Sequence, residues 1–196
     1  MNTLKINTMK TIKLFIIALI GLTTFNSCSD DDAPVIVNEE EVITTLRLTL
    51  TPQGGGTPVV FLSQDLDGDG PNTPIVTSGN LMTSTTYNGV VQVLNELESP
   101  AENITLEVAE EDDEHQFFYN ITGGAGNSIS YADMDGNGNP IGILTTLTTG
   151  ANATTNTMVV TLRHEPIKDA VGVSSGDITN AGGETDIEVS LQFSVN

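Results

Sequence analysis

The sequence predicts an all-β fold: an antiparallel β-sandwich built from two duplicated halves, with one short helix. Three observations carry that expectation. Apolar and polar residues alternate with a period of two in many short segments, glycines interrupt these segments at close intervals, and a single stretch has helical spacing. The clearest alternation is at the C-terminus, where Thr185, Ile187, Val189, Leu191, Phe193 and Val195 oppose Asp186, Glu188, Ser190, Gln192 and Ser194. Side chains of a strand point alternately to its two faces, so this pattern gives one buried and one wet face.

Similar strands are expected near 43–51, 58–64, 86–95, 115–122, 127–132, 141–148 and 156–165. The helix is expected over about 102–111, where Ile104 and Val108 fall four apart among Glu102, Glu107, Glu110 and Glu111. Many short strands joined by glycine-rich turns favour a sandwich.

Two stretches share an order of features. The first passes from Leu48 through Gly54-Gly55-Gly56, Val59 to Gln64, the acidic run Asp65 to Gly70 and Pro74-Ile75, and reaches Val91 to Glu96. The second passes from Phe118 through Gly123-Gly124-Ala125-Gly126, Ser128 to Ala132, the acidic run Asp133 to Gly138 and Pro140-Ile141, and reaches Val160 to Glu165. The halves so defined cover about 42–100 and 115–166, and two such halves would pack as the two sheets of the sandwich.

The N-terminus reads as an address. Lys5, Lys10 and Lys13 precede the apolar run Leu14 to Leu22, which has the length of a signal-peptide core and is short for a membrane-spanning helix. Phe25-Asn26-Ser27-Cys28 follows and resembles a lipobox. The expected organisation is therefore a signal peptide over 1–27, a lipidated Cys28 with an acidic tether over 28–41, and a single β-sandwich domain over 42–196. Ser29, Asp30, Asp31 and Asp32 resemble the acidic signal that sends Bacteroidota lipoproteins to the cell surface; the alternative is that they merely begin a solvated tether. Cys28 is the chain's one cysteine, so no intramolecular disulfide is available. Acyl chains contribute about 0.8 kcal/mol per buried methylene, which makes the outer membrane the expected partner through a lipid anchor.

After cleavage the basic residues are Arg47, Arg163 and Lys168, against 26 acids. Such a charge repels nucleic acid and anionic headgroups and attracts cations. The absence of tryptophan argues against a stacked-ring carbohydrate platform. A catalytic role is not expected. The domain offers no cysteine, no nucleophile-elbow serine, no phosphate-binding loop and no dinucleotide fingerprint.

Two groups of residues have metal-binding chemistry. In the acidic loops, Asp65, Asp67 and Asp69, then Asp133, Asp135 and Asn137, occupy positions 1, 3 and 5 of a calcium-type loop, with Gly70 and Gly138 at position 6. Calcium takes six to eight oxygens, and closely spaced carboxylates supply several of them. Position 12, which normally closes the shell, is Val76 in one loop and Leu144 in the other, so calcium here would bind in the range of about 10⁻⁴ to 10⁻³ M. The same residues equally suit hairpin turns whose side chains cap their own backbone.

The second group uses the two histidines. His115 opens a strand whose inward row is Phe117, Tyr119 and Ile121, beside an acidic run that includes Glu111. His164 ends a strand carrying Met158, Val160 and Leu162, and Glu165 follows it. If these strands are neighbours, His115 and His164 with Glu111 or Glu165 form a nitrogen and oxygen site for zinc or copper. If not, they are two partly buried histidines hydrogen-bonded at strand ends.

The stretches Asp113-Glu114-His115-Gln116-Phe117-Phe118-Tyr119, Leu162-Arg163-His164-Glu165-Pro166 and Ser175 to Ile187 (SGDITNAGGETDI) resemble a family of small Bacteroidota envelope lipoproteins. That family is loosely labelled "type 1 periplasmic binding fold superfamily protein". The resemblance implies a cell-envelope lipoprotein working beside an outer-membrane TonB-dependent receptor, and it brings no catalytic residues. The label implies two α/β lobes, whereas the residues here read as strands. The combined expectation is a surface-exposed, non-enzymatic lipoprotein that binds a small ligand such as a divalent metal. The alternative is a structural or protein-interaction lipoprotein with no small-molecule ligand.

Overall fold

The computed structural model describes residues 41–68 and 70–196. The signal-peptide, Cys28 and Ser29–Asp32 readings lie outside the described residues, as does Asp69.

Among the described residues, ten strands form two sheets: β1 (Thr45–Pro52), β2 (Val59–Gln64), β3 (Ile75–Thr77), β4 (Asn80–Leu81), β5 (Thr86–Leu94), β6 (His115–Gly123), β7 (Ser128–Tyr131), β8 (Leu144–Thr148), β9 (Thr154–His164) and β10 (Glu184–Val195). One sheet has the order β3-β2-β1-β5-β8-β7 and the other β4-β10-β9-β6. Every pairing is antiparallel except the short β10–β4 contact. The expected all-β sandwich with one short helix is what forms. β3 and β4 were not expected, and at three and two residues they are too short to display a period of two.

The inward rows are those the alternation marks. Leu46, Leu48 and Leu50 of β1, Tyr87, Val91 and Val93 of β5, Phe117 of β6, Met158, Val160 and Leu162 of β9, and Leu191, Phe193 and Val195 of β10 are buried together. Phe61 and Phe193 meet across the two sheets with ring centroids 5.5 Å apart. The helix α1 (Thr105–Glu110) is shorter than expected. It is fastened to β5 through Thr105, whose hydroxyl accepts from the Val93 amide (2.8 Å) and donates to the Val93 carbonyl (3.2 Å). Both backbone groups lie in the core, so the pair satisfies polar atoms that water cannot reach.

The two halves do not divide one to each sheet. Their outer strands are equivalent: β1 pairs β5 with Leu48 opposite Val91, and β6 pairs β9 with Phe118 opposite Thr161. The strand between them differs, because β2 pairs with β1 whereas β7 pairs with β8 in the other sheet. The glycine turns explain the divergence. Gly54 and Gly55 stand in open space at a hairpin. A Cβ on Gly123 would instead lie 2.5 Å from the Thr155 carbonyl, and Gly126 packs against Gly150. This second turn is a tight corner that carries the chain from one sheet to the other. Asn156 holds it by accepting from the Gly124 amide and the Asn127 side chain.

After β9 the chain folds back over the outer face of β6, through short 3-10 turns at Val173–Ser175 and Ile178–Asn180. Phe118, Val173 and Ala181 make a small second core there. β6 is therefore buried on both faces from His115 to Tyr119.

Candidate metal centre

At one end of the four-stranded sheet, β6 begins at His115 and β9 ends at His164, and the two residues are directly opposite in register. The Glu165 amide donates to the Glu114 carbonyl (2.6 Å), so the neighbouring pair is hydrogen-bonded and the histidines occupy a non-hydrogen-bonded position. Side chains come closest at such positions. The imidazoles stack, with centroids 4.6 Å apart and planes 12° apart. His115 is wholly buried and His164 nearly so.

Four carboxylates approach them. Asp186 Oδ2 and Glu41 Oε1 each lie 3.9 Å from His115 Nε2, and Glu111 Oε2 lies 3.9 Å from its Nδ1. Glu114 reaches to 3.9 Å from His164 Nε2. Asp186 is delivered by a bulge. Thr185 pairs with Arg163 and Ile187 with Leu162, leaving Asp186 as the extra residue of β10. A bulge turns a side chain away from its alternating direction, and here the Asp186 side chain, 7 % exposed, turns into the site. Glu41 comes from the segment ahead of β1, with its side chain 14 % exposed.

Two sets of converging ligand atoms result, His115 with His164 and Asp186, and His115 with Glu41 and Glu111. His115 Nδ1 lies 3.3 Å from the Glu111 carbonyl. Donation from Nδ1–H to that oxygen selects the tautomer whose Nε2 carries the lone pair. Nε2 then faces two carboxylates, and among the described residues it has no hydrogen-bond partner, nor has Glu41 Oε2. Lone pairs turned toward one another in a buried site require a cation or a proton between them.

The electrostatics agree. Burial pushes His115 below the usual histidine range, and its neighbour His164 adds to this, against the pull of the Glu111 carbonyl. Burial, then the charges of Asp186, Glu107, Glu111 and Glu102, push Glu41 up to about 7. The site thus pairs an imidazole held toward its neutral form with one carboxylate, Glu41, whose charge burial and its neighbours disfavour.

Ligands at about 2.0–2.1 Å from a tetrahedral zinc stand about 3.4 Å apart; the two separations from His115 Nε2 exceed this by about half an ångström, and the atoms of each set lie within 4.8 Å of one another. The donors are two borderline nitrogens and hard oxygens, which suits zinc or copper(II) better than calcium.

Of the residues marked in the sequence, the fold brings together His115, His164 and Glu111. Glu165 is not one of the converging ligands: its backbone turns at φ +50° and its side chain is exposed. Asp186 and Glu41 were not marked, because strict alternation puts Asp186 on the wet face and Glu41 falls in the expected tether. The acidity around Glu41 was visible, but no spacing in the sequence connects it to a histidine.

The acidic loops do not converge on a cation site among the described residues. Asp65 accepts weakly from the Asp67 amide at 3.4 Å, and Asp67 caps Asn72 through its amide and side chain. Asp133 accepts from the amides of Gly142 and Leu144, both at 2.8 Å. Asp135 accepts from the amides of Asn137 and Asn139 and pairs with Lys168 Nζ at 3.1 Å. The Lys168 ammonium also donates to the carbonyls of Asp112 and Pro140. A lysine therefore supplies the positive charge that the second loop would otherwise draw from calcium. Asn137 lends its amide, and its side chain is exposed. Although burial opposes the charge, the bonds from Asn139, Lys168 and Asn137 hold Asp135 below the usual carboxylate range.

Comparison with protein-family models, curated proteins and solved structures found no match for this chain.

Proposed function

We propose that this chain is a cell-envelope lipoprotein whose β-sandwich is a non-enzymatic binding module for one divalent transition-metal ion, zinc or copper(II). The observation that carries the reading is the buried His115 Nε2, without a hydrogen-bond partner among the described residues and 3.9 Å from both Asp186 and Glu41, beside the stacked His164. A core histidine serving only to pack would have its polar atoms satisfied. Binding rather than catalysis is favoured because protein groups supply most of the shell in a buried site, with little room for a substrate.

The lipid anchor at Cys28, surface export through Ser29–Asp32 and work beside a TonB-dependent receptor complete the proposal. They rest on the sequence patterns at the N-terminus. On this reading the acidic surface gathers cations and the site retains one of them.

Calorimetric titration of the full-length protein with zinc, copper(II), calcium and magnesium tests the metal reading. One equivalent of zinc or copper(II) is expected to bind and to raise the thermal midpoint. Asp186→Asn and His164→Asn should each weaken binding at least tenfold while leaving the circular dichroism spectrum intact. No heat and no midpoint shift with any of the four ions would refute it.

The interaction-module reading has one observation in its favour. Val60, Val90 and Leu144 lie in register on either side of Thr49 across the six-stranded sheet, and all three are exposed. A Val90→Lys variant that keeps metal binding but loses a partner would favour that second reading.

A further inference from the structure

The donors His115, His164 and Asp186 belong to three neighbouring strands of one sheet, β6, β9 and β10, so they move as a unit. Glu41 does not. It precedes β1, which belongs to the other sheet, and the lead-in is stitched to that sheet from Thr44, whose amide donates to the Leu94 carbonyl (2.9 Å). Yet Glu41 lies as close to His115 Nε2 as Asp186 does, and its second oxygen is buried without a hydrogen-bond partner among the described residues. The cleft of about 100 Å³ beside it is lined by Glu41, Glu184, Thr185 and Asp186, so among the described residues the carboxylate has further acids beside it.

We infer that Glu41 supplies the fourth ligand of the metal ion, and that the ion thereby clasps the segment leading into β1 onto the four-stranded sheet. The inference rests on the metal-binding reading and adds its consequence for the chain. Glu41 and Asp186 each approach His115 Nε2 to 3.9 Å, so without a cation their carboxylates repel one another across one point. A divalent ion at His115 Nε2 reverses that force, because one positive centre then attracts both Glu41 and Asp186. Metal occupancy and docking of residues 41–44 become one equilibrium.

Hydrogen exchange read by mass spectrometry on the full-length protein, with and without zinc, tests this. Zinc should slow exchange across residues 41–44 at least tenfold. In Glu41→Gln, zinc should still bind through His115, His164 and Asp186, about tenfold more weakly, and should still protect the start of β6. Protection of 41–44 should be lost. Glu111→Gln should retain it. If wild type binds zinc and exchange at 41–44 is unchanged, or if Glu41→Gln keeps full protection, the clasp is overturned and the metal site stands. If loss follows Glu111→Gln instead, Glu41 is not the fourth ligand. If wild type binds no zinc, the underlying metal reading falls and the clasp falls with it.

Discussion

Glu41→Gln should change the sign of its effect on stability according to whether metal is present. Glu41 is pushed from 4.5 up to about 7 in the folded protein. Its folded form therefore holds a proton more tightly than the unfolded chain does, and this contribution to stability is fully present below 4.5 and lost as pH climbs through 7. Each pKa unit is worth about 1.4 kcal/mol, and partial solvent access brings the loss to about 2 kcal/mol. His115 works in the opposite direction. Burial lowers its folded value below 6.5, so stability is gained as pH rises through the histidine range. The difference between wild type and Glu41→Gln isolates the glutamate, because His115 is common to both. In urea denaturation with chelator, the two proteins should be nearly equal at about pH 5, where Glu41 is protonated, and the variant should be more stable by about 2 kcal/mol at about pH 8. Saturating zinc at the higher pH should make wild type the more stable protein, because the carboxylate then binds the ion and the amide does so poorly. A difference independent of pH in chelator would refute the placement of Glu41 among buried acids. A difference unmoved by zinc would refute its approach to the metal.

Three further outcomes follow from the same geometry. Metal binding near neutral pH should release protons, measured as a dependence of the calorimetric heat on the buffer, since the ion displaces the proton that Glu41 holds; Glu41→Gln should reduce the release. Lys168→Met should cost about 3 kcal/mol in denaturant unfolding, because the buried Asp135 loses its counter-charge. It should also flatten the acid limb, since the depressed Asp135 stabilises wild type above pH 3.8 and that share is lost as pH falls through its lower folded value. Calcium should leave the thermal midpoint unchanged, and Asp133→Ala should destabilise by about 1–2 kcal/mol equally with calcium and with chelator, because its bonds go to the Gly142 and Leu144 amides.

Much of the fold was legible because a half-buried strand has to alternate. The inward rows of β1, β5 and β9 follow the pattern, β6 is also buried on its outer face from His115 to Tyr119, and β10 follows the pattern from Ile187 onward. Half of the site was legible for the same reason: His115 and His164 each end an inward row beside acids. That the two rows meet is a fact of pairing between strands 49 residues apart, and no local pattern records it. The β3 and β4 edges were hidden similarly, since Asn80 and Leu81 owe their extended form to Ser194 and Val195 at the far end of the chain.

The acidic loops and Asp186 show the two ways in which a local pattern misleads about a site. Asp133, Asp135 and Asn137 have calcium-type spacing, but spacing gives only the negative half of an ion site. The positive half was already provided by Lys168, 33 residues from Asp135 and buried with it. Asp186 errs in the other direction. Its position in the alternation predicts a solvent-facing carboxylate, and it would face solvent if β10 paired without interruption. The single extra residue between Thr185 and Ile187 turns it inward, while alternation resumes by Val189 as though nothing had intervened. The bulge switches the faces ahead of it: Thr185, expected in the buried row with Ile187, is exposed opposite Arg163, whereas Ile187 pairs with the buried Leu162. That the fold keeps such a bulge directly opposite the end of the histidine strand, and adds Glu41 from outside the sheet, is the structural argument that the arrangement is retained for the ion it holds.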